Sequence, residues 1–192
     1  MLKEDLSLAY RLAEGSGLSR FVYVCLLPGV RAVIVYRFAS WLLTKPLYLR
    51  LPLKPLKLLL HRRMMSKWGI DIDPGARIGK GFRIAHYGGI FIGDQVVIGD
   101  YFYVSHDVTI GRSRSDLRQG LPVIGDNVYV APGAKIVGNI KIGNNARIGT
   151  NAVVDRDVPA NALVQMRAPQ VVVFSSYADA GKMSPPDKEA AE

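Results

Sequence analysis

Ile124-Gly125-Asp126-Asn127-Val128-Tyr129-Val130-Ala131-Pro132-Gly133-Ala134-Lys135-Ile136-Val137-Gly138-Asn139-Ile140-Lys141-Ile142-Gly143-Asn144-Asn145-Ala146-Arg147-Ile148 is the stretch that decides the fold. An aliphatic residue returns at every sixth position, and Gly follows it directly at three of them. The same step continues to Val154, and upstream it runs through Ile72, Ile78 and Ile84, then Ile92, Ile98, Val104 and Ile110. An amphipathic helix repeats near 3.6 and a coiled coil at seven, so neither produces this pattern. A period of six is the signature of a parallel β-helix. Each hexapeptide forms one short strand and one corner, and three close a triangular coil. Coils then stack about 4.8 Å apart, and each coil's backbone pairs with its neighbours. The prediction is a mainly β chain, a left-handed parallel β-helix of hexapeptide repeats with an N-terminal α-helical segment.

The repeat slips twice. Ile84 to Ile92 spans eight residues, which enlarges the corner Ala85-His86-Tyr87-Gly88-Gly89. Ile110 to Ile124 spans fourteen, which adds the loop from Gly111 to Gly120. Departures from a structural repeat are where function tends to sit. With the faces labelled A, B and C in chain order, Ile72, Ile78 and Ile84 lie on A, B and C. The C-to-A edge should then carry Asp71, His86 and His106 one coil apart. A carboxylate beside an imidazole orients a general base, so His86 with Asp71 is the candidate pair. His106 reads equally as a second site group or a stacking residue. His61 reads as a solvated-face residue, and Asp73, Asp94, Asp100 and Asp126 as turn residues that cap local backbone. Arg112, Arg114 and Arg118 fit a solvated insertion, or a grip on phosphates or an anionic substrate.

Charge is unevenly placed. The chain of 192 residues has 25 Lys and Arg against 16 Asp and Glu, a net charge of +9. Between Gly15 and Ile70 there are ten basic residues and no acidic one, so the rest of the chain is close to neutral. That segment is also rich in Leu, Val, Phe, Tyr and Trp. Its basic, apolar character points to a membrane-surface element or a helical cap, and away from a nucleic-acid surface. Its longest charge-free run, Phe21–Val30, is too short to span a bilayer and contains Pro28. The opening Met1-Leu2-Lys3-Glu4-Asp5 lacks the pattern of a signal peptide, so a cytoplasmic protein is expected, with peripheral contact at the inner membrane face as an option. One cysteine, Cys25, excludes an internal disulfide framework and a cysteine-based zinc cluster; no metal is expected. Helices are expected near Lys3–Ala13, Gly29–Leu43 and Pro55–Trp68, with Pro52 and Pro55 separating the last two. The expected organisation is a helical region over 1–68, the β-helix over 69–159, and an extension over 160–192 whose tail from Ser175 is disordered.

Gly69-Ile70-Asp71-Ile72-Asp73-Pro74-Gly75-Ala76-Arg77-Ile78-Gly79, followed by Ala85-His86-Tyr87-Gly88-Gly89, resembles the serine O-acetyltransferase branch of the hexapeptide acyltransferases. Val108-Thr109-Ile110-Gly111 and Ala131-Pro132-Gly133-Ala134 continue the likeness, and Pro28–Arg37 resembles the end of that branch's helical region. The resemblance covers roughly 20–170. It implies His86 as general base, Asp71 as its orienting group, backbone N–H groups at the corner for the oxyanion, and acetyl-CoA in a groove between subunits of a homotrimer. By position, Gly111, Arg112, Pro132, Arg147, Thr150 and Arg167 match the places lining that groove. Three departures bear on the acceptor. Ala85 replaces an acidic residue before the base, Leu121 replaces a second His, and three arginines replace a Gly-rich loop. Gln165-Met166-Arg167-Ala168 also replaces a Gly-Val-Pro-Ala.

His86-Tyr87-Gly88-Gly89 and Ser105-His106-Asp107 more closely resemble the exopolysaccharide and colanic-acid-type O-acetyltransferases. Acetyl transfer to a sugar hydroxyl of an exopolysaccharide or its lipid-linked precursor is therefore the leading expectation, with His106, Tyr87, Arg114 and Arg118 toward the saccharide. Serine O-acetyltransferase is the alternative, and a non-catalytic β-helix scaffold at the membrane is the rival of another class.

Overall fold

The computed structural model describes residues 1–113 and 119–166. Helices α1 (Leu2–Leu12), α2 (Gly17–Leu26), α3 (Pro28–Leu43) and α4 (Leu47–Trp68) come first. Short strands follow: β1 (Ile70–Ile72), β2 (Arg77–Ile78), β3 (Arg83–Ile84), β4 (Ile90–Ile92), β5 (Val97–Ile98), β6 (Tyr103–Val104) and β7 (Thr109–Gly111). Beyond the second phase break come β8 (Val123–Ile124), β9 (Tyr129–Val130), β10 (Lys135–Val137), β11 (Lys141–Ile142), β12 (Arg147–Ile148), β13 (Val153–Val154) and β14 (Leu163–Val164). They form three parallel sheets, ordered β1-β4-β7-β10-β13, β2-β5-β8-β11 and β3-β6-β9-β12-β14. Every third strand therefore falls on the same face, giving four full coils and part of a fifth. This is the parallel β-helix that the six-residue period implies.

The register places the repeat residues in columns. Ile72, Ile92, Ile110, Ile136 and Val154 stack on face A. Ile78, Ile98, Ile124 and Ile142 stack on face B, and Ile84, Val104, Val130 and Ile148 on face C. All of them are buried. Each burial contributes about 1.5–3 kcal/mol, so the columns are the main driving force of the prism. Phe82 and Phe102, both buried, stack at 5.9 Å between its first two coils.

The Gly after each face-B aliphatic has a steric reason. Asp100 Oδ1 accepts from Lys80 N, Asp126 Oδ1 from Asp100 N, and Asn144 Oδ1 from Asp126 N. Each of these oxygens passes over the preceding coil's Gly, and a Cβ at Gly99 would overlap Asp126 Oδ1. Asp100 and Asp126 thus cap the neighbouring coil rather than their own turn. Asp73, in contrast, caps locally, accepting from Gly75 N at 2.7 Å.

The helices cap the first coil. Tyr36 on α3 donates its hydroxyl to Ala76 O at 2.8 Å and accepts from Ile78 N at 3.2 Å. Burial pushes the Tyr36 phenol above its ordinary pKa. Arg37 and Asp5 form a buried ion pair that joins α1 and α3 to the first coil at Phe82.

Two expectations about the helices need correction. No helix was expected between Ala13 and Gly29, but Gly17–Leu26 is one, and it takes in the first part of the charge-free run Phe21–Val30. The last helix starts at Leu47 and contains Pro52 and Pro55, which had been expected to precede it. The prolines free the carbonyls of Tyr48 and Leu51, and both residues are exposed, so water can satisfy those groups. Gly69 ends α4 with φ 60°, and its N–H reaches Met64 O and Met65 O.

Candidate active site

The C-to-A edge gathers the candidate chemistry. The Ile84–Val104–Val130–Ile148 column fixes the residues two positions on: His86, His106, Pro132 and Thr150. His86 and His106 face each other edge-on with centroids 5.8 Å apart. Both are exposed, as is Tyr87. The corner backbone is tied coil to coil: Asp107 N donates to Gly88 O at 2.7 Å, Gly133 N to His106 O, and Asn151 N to Pro132 O. The base candidate therefore sits on an enlarged corner clamped from above.

Asp107, next to His106, takes a left-handed φ of 55°. Lys135 Nζ donates to its carboxylate at 2.9 Å and to its carbonyl at 2.7 Å. The Lys135 hydrogen bond, followed by that residue's positive charge, holds the Asp107 carboxyl below the usual range. This Lys–Asp pair bridges the β10 strand to the His106 corner, and nothing in the six-residue period marks it.

Asp71 is placed differently from the sequence expectation. It lies on β1, in register with Phe91. Its carboxylate is 3.3 Å from His61 Nε2 on α4. Among the described residues, no hydrogen bond or ion pair joins Asp71 to His86. His61, read as a solvated-face residue, is half-buried against the prism because the last turns of α4 pack on β1. The signal that could have placed it is its spacing from Met64 and Trp68, which puts it on the buried side of α4.

The residues carried over for a cofactor split between two edges. Pro132 and Thr150 share the His86 edge. Gly111 ends β7, so Gly111 and the exposed Arg112 stand at the A-to-B corner. Arg147 lies on face C and donates to Asn127 O at 2.7 Å. Within one chain it is thus held by the preceding coil, whose Tyr129 it also pairs with in register. Arg114, Arg118 and Arg167 lie outside the described residues. Leu121 packs against the hydrophobic core, which explains an apolar residue there. No group of three or more metal-ligating side chains occurs among the described residues. A cavity of about 660 Å³ between the helical cap and the first coil is walled by Asp5, Tyr23, Val33, Phe82 and Ala85. It ends one residue short of His86, so it belongs to the joint between cap and prism.

Comparison with known proteins identifies the relatives. Residues 122–156 match the family described as bacterial transferase hexapeptide (six repeats). A serine acetyltransferase of Synechococcus elongatus is 38% identical over 150 residues, covering 78% of this chain and 58% of the relative. The chain thus spans little more than half the length of that curated relative. The soybean serine acetyltransferase, solved in complex with serine, is 35% identical with a TM-score of 0.69, over 88% of this chain and 68% of that one. The Neisseria gonorrhoeae serine acetyltransferase, also solved with serine, is 32% identical with a TM-score of 0.67, over 88% of this chain and 67% of that one. These relatives overturn the leading expectation of a saccharide acceptor and the closer resemblance to exopolysaccharide O-acetyltransferases. The substitutions Ala85 and Leu121 had been weighed as loss of an amino-acid grip, and identity extending over cap and prism outweighs them.

Proposed function

We propose, from the premise that this chain belongs to the serine acetyltransferase family of hexapeptide-repeat transferases, that it transfers acetyl from acetyl-CoA to the hydroxyl of L-serine. The observation that carries the reading is the match to the soybean enzyme solved with serine, which spans both the cap and the prism.

His86 acts as the general base. It takes the proton from the serine hydroxyl as that oxygen attacks the thioester carbonyl. The carbon–oxygen bond forms, the carbon–sulfur bond breaks, and the imidazolium returns the proton to the departing thiolate. Asp71 steadies the imidazolium through a side-chain rotation away from His61, and the corner N–H groups near Gly88 and Gly89 receive the oxyanion. His106 lies against His86 and fixes the ring's orientation.

Acetyl-CoA extends along the edge past Pro132 and Thr150. Gly111 and Arg112 stand on the other edge of the same prism. A homotrimer brings the A-to-B corner of one subunit against the C-to-A edge of the next, and so completes the groove. Ala85 offers no carboxylate to the substrate ammonium, so a higher KM for serine is expected than in relatives with an acidic residue there.

The test is a thiol-release assay with purified protein, acetyl-CoA and L-serine. Release above spontaneous hydrolysis is expected, and His86→Ala should lower it by about 10²–10⁴ while CoA binding persists. No serine-dependent release from the native chain, or a monomer by light scattering, would refute the reading.

A further inference from the structure

Helix α4 carries six basic residues, Arg50, Lys54, Lys57, Arg62, Arg63 and Lys67, and no acidic one. It is 22 residues long, about 33 Å. Only Met64 and Trp68, in its last two turns, are buried. From Leu47 to Arg63 no side chain is buried, and Leu53, Lys57, Leu60 and His61 mark the one half-covered stripe. Everything else on those turns faces outward. Leu58 is 54% exposed and Leu59 66%, with Leu51 and Leu56 also open. At the turn from α3 to α4, Trp41 and Tyr48 are exposed, and Lys45 Nζ sits 4.9 Å from the Trp41 ring centroid. Isolated exposed leucines are ordinary, but a run of them among unopposed cations is a contact surface without its partner.

The chemistry of that surface selects the partner. A second copy would set six cations against six. Nucleic acid would use the cations and leave the leucines in water. An anionic bilayer uses both: phosphates meet the Lys and Arg heads, the leucines enter the headgroup boundary, and Trp41 and Tyr48 sit at the interface. Such a helix would lie on a bilayer rather than cross it. Among the described residues no single helix is long and apolar enough to span; α2 and α3 together reach that length, but they are bent by 68° and much of α3 is buried in the fold.

We propose that the outer face of α4, with the α3–α4 turn, is a docking surface for anionic lipid. It holds the chain on the membrane through α4, while the catalytic edge stands on the prism beyond it. The proposal is independent of the acceptor, because none of these residues belongs to the candidate site.

The test uses the full chain in co-sedimentation with phosphatidylcholine vesicles, with and without phosphatidylglycerol. Binding is expected only with the anionic lipid, and it should fall as salt rises. The combined Arg50→Gln, Lys54→Gln, Arg62→Gln and Arg63→Gln variant should bind roughly a thousandfold more weakly at low salt. These side chains are exposed, so the variant should fold. A second variant, Leu58→Ser with Leu59→Ser, should weaken binding without changing its salt dependence. Equal binding to both vesicle types, or unchanged binding by the four-charge variant, overturns the proposal. So does dissociation of the native oligomer by the leucine variant, which would make this face a contact between copies. Tighter binding to duplex DNA than to anionic vesicles would overturn it as well.

Discussion

Replacing Asp5 by alanine tests how the helical cap is held on the prism. Asp5 is 4% exposed, yet it carries a charge, and three elements converge on it. Arg37 Nε donates to Asp5 Oδ2 at 2.8 Å and Arg37 Nη2 to Oδ1 at 3.3 Å. Phe82 N donates to Asp5 Oδ1 at 2.9 Å across 77 residues of sequence. The guanidinium also donates to Ile78 O at 2.6 Å and to Gly79 O. The alanine variant leaves a buried guanidinium without its counter-ion and a buried Phe82 N–H without an acceptor. Breaking a buried pair by removing one partner costs about 3–5 kcal/mol. The two carbonyls still hold Arg37, so about 3 kcal/mol is expected. For a chain of this size that corresponds to a fall in Tm of about 6–12 °C.

Urea unfolding followed by circular dichroism measures the loss, and hydrogen exchange at Phe82 N–H reports whether α1 has undocked first. Asp5→Asn keeps an acceptor for Phe82 N–H and should lose less. The double variant Asp5→Leu with Arg37→Met removes both charges and should be more stable than Asp5→Ala alone. A loss below about 1 kcal/mol in Asp5→Ala, or a double variant no better than the single, would refute the view that this pair fastens the cap.

At Gly99, alanine would overlap Asp126 Oδ1 and lie 2.8 Å from the Gly125 carbonyl, so a loss of about 1–3 kcal/mol is expected by urea unfolding. Gly111→Ala, by comparison, meets only Phe91 Cε1 at 3.5 Å among the described residues, and its stability should change by less than about 1 kcal/mol. The lowered pKa of Asp107 means that its contribution is present above the ordinary carboxylate range and is lost as pH falls through the folded value; in a carboxyl NMR titration, Lys135→Met should return its midpoint upward. The raised pKa of Tyr36 works in the opposite sense: stability is intact below 10.0 and declines as pH rises toward the folded value, a decline that Tyr36→Phe should remove from a Tm-against-pH curve. His61→Ala leaves Asp71 free for His86, so turnover should hold within about threefold; a loss as large as that of Asp71→Asn would make His61 the imidazole that Asp71 serves.

The six-residue period was legible because it is redundant. Thirteen aliphatic positions each report the same geometry, so the face assigned to Ile72 also predicts the pairing of Ile148 with Val130 three coils later. The stacking of His86 on His106 follows from the same columns, since each lies two residues beyond a face-C aliphatic. Contacts across the joint with the helices have no such redundancy. Nothing in the spacing of α4 says that His61 should meet Asp71, because the left-handed turn at Gly69, which lies against Gly88 and Gly89, sets that distance. Pro52 and Pro55 misled for a related reason: a proline costs a helix most where the freed carbonyl is buried, and exposure is a tertiary property.

The acceptor was the hardest feature to read. A few side chains grip a small substrate, and Ala85 and Leu121 are single letters with structural explanations of their own. Leu121 packs on the core, and Ala85 walls the joint with the cap. A change at such a position reports packing as readily as specificity. Likeness extending over cap and prism is therefore the stronger guide to the acceptor, and Ala85→Asp is the substitution that separates the two effects. If specificity governs, the variant lowers the KM for serine and leaves kcat in place; if packing governs, it lowers the Tm and leaves the KM where it was.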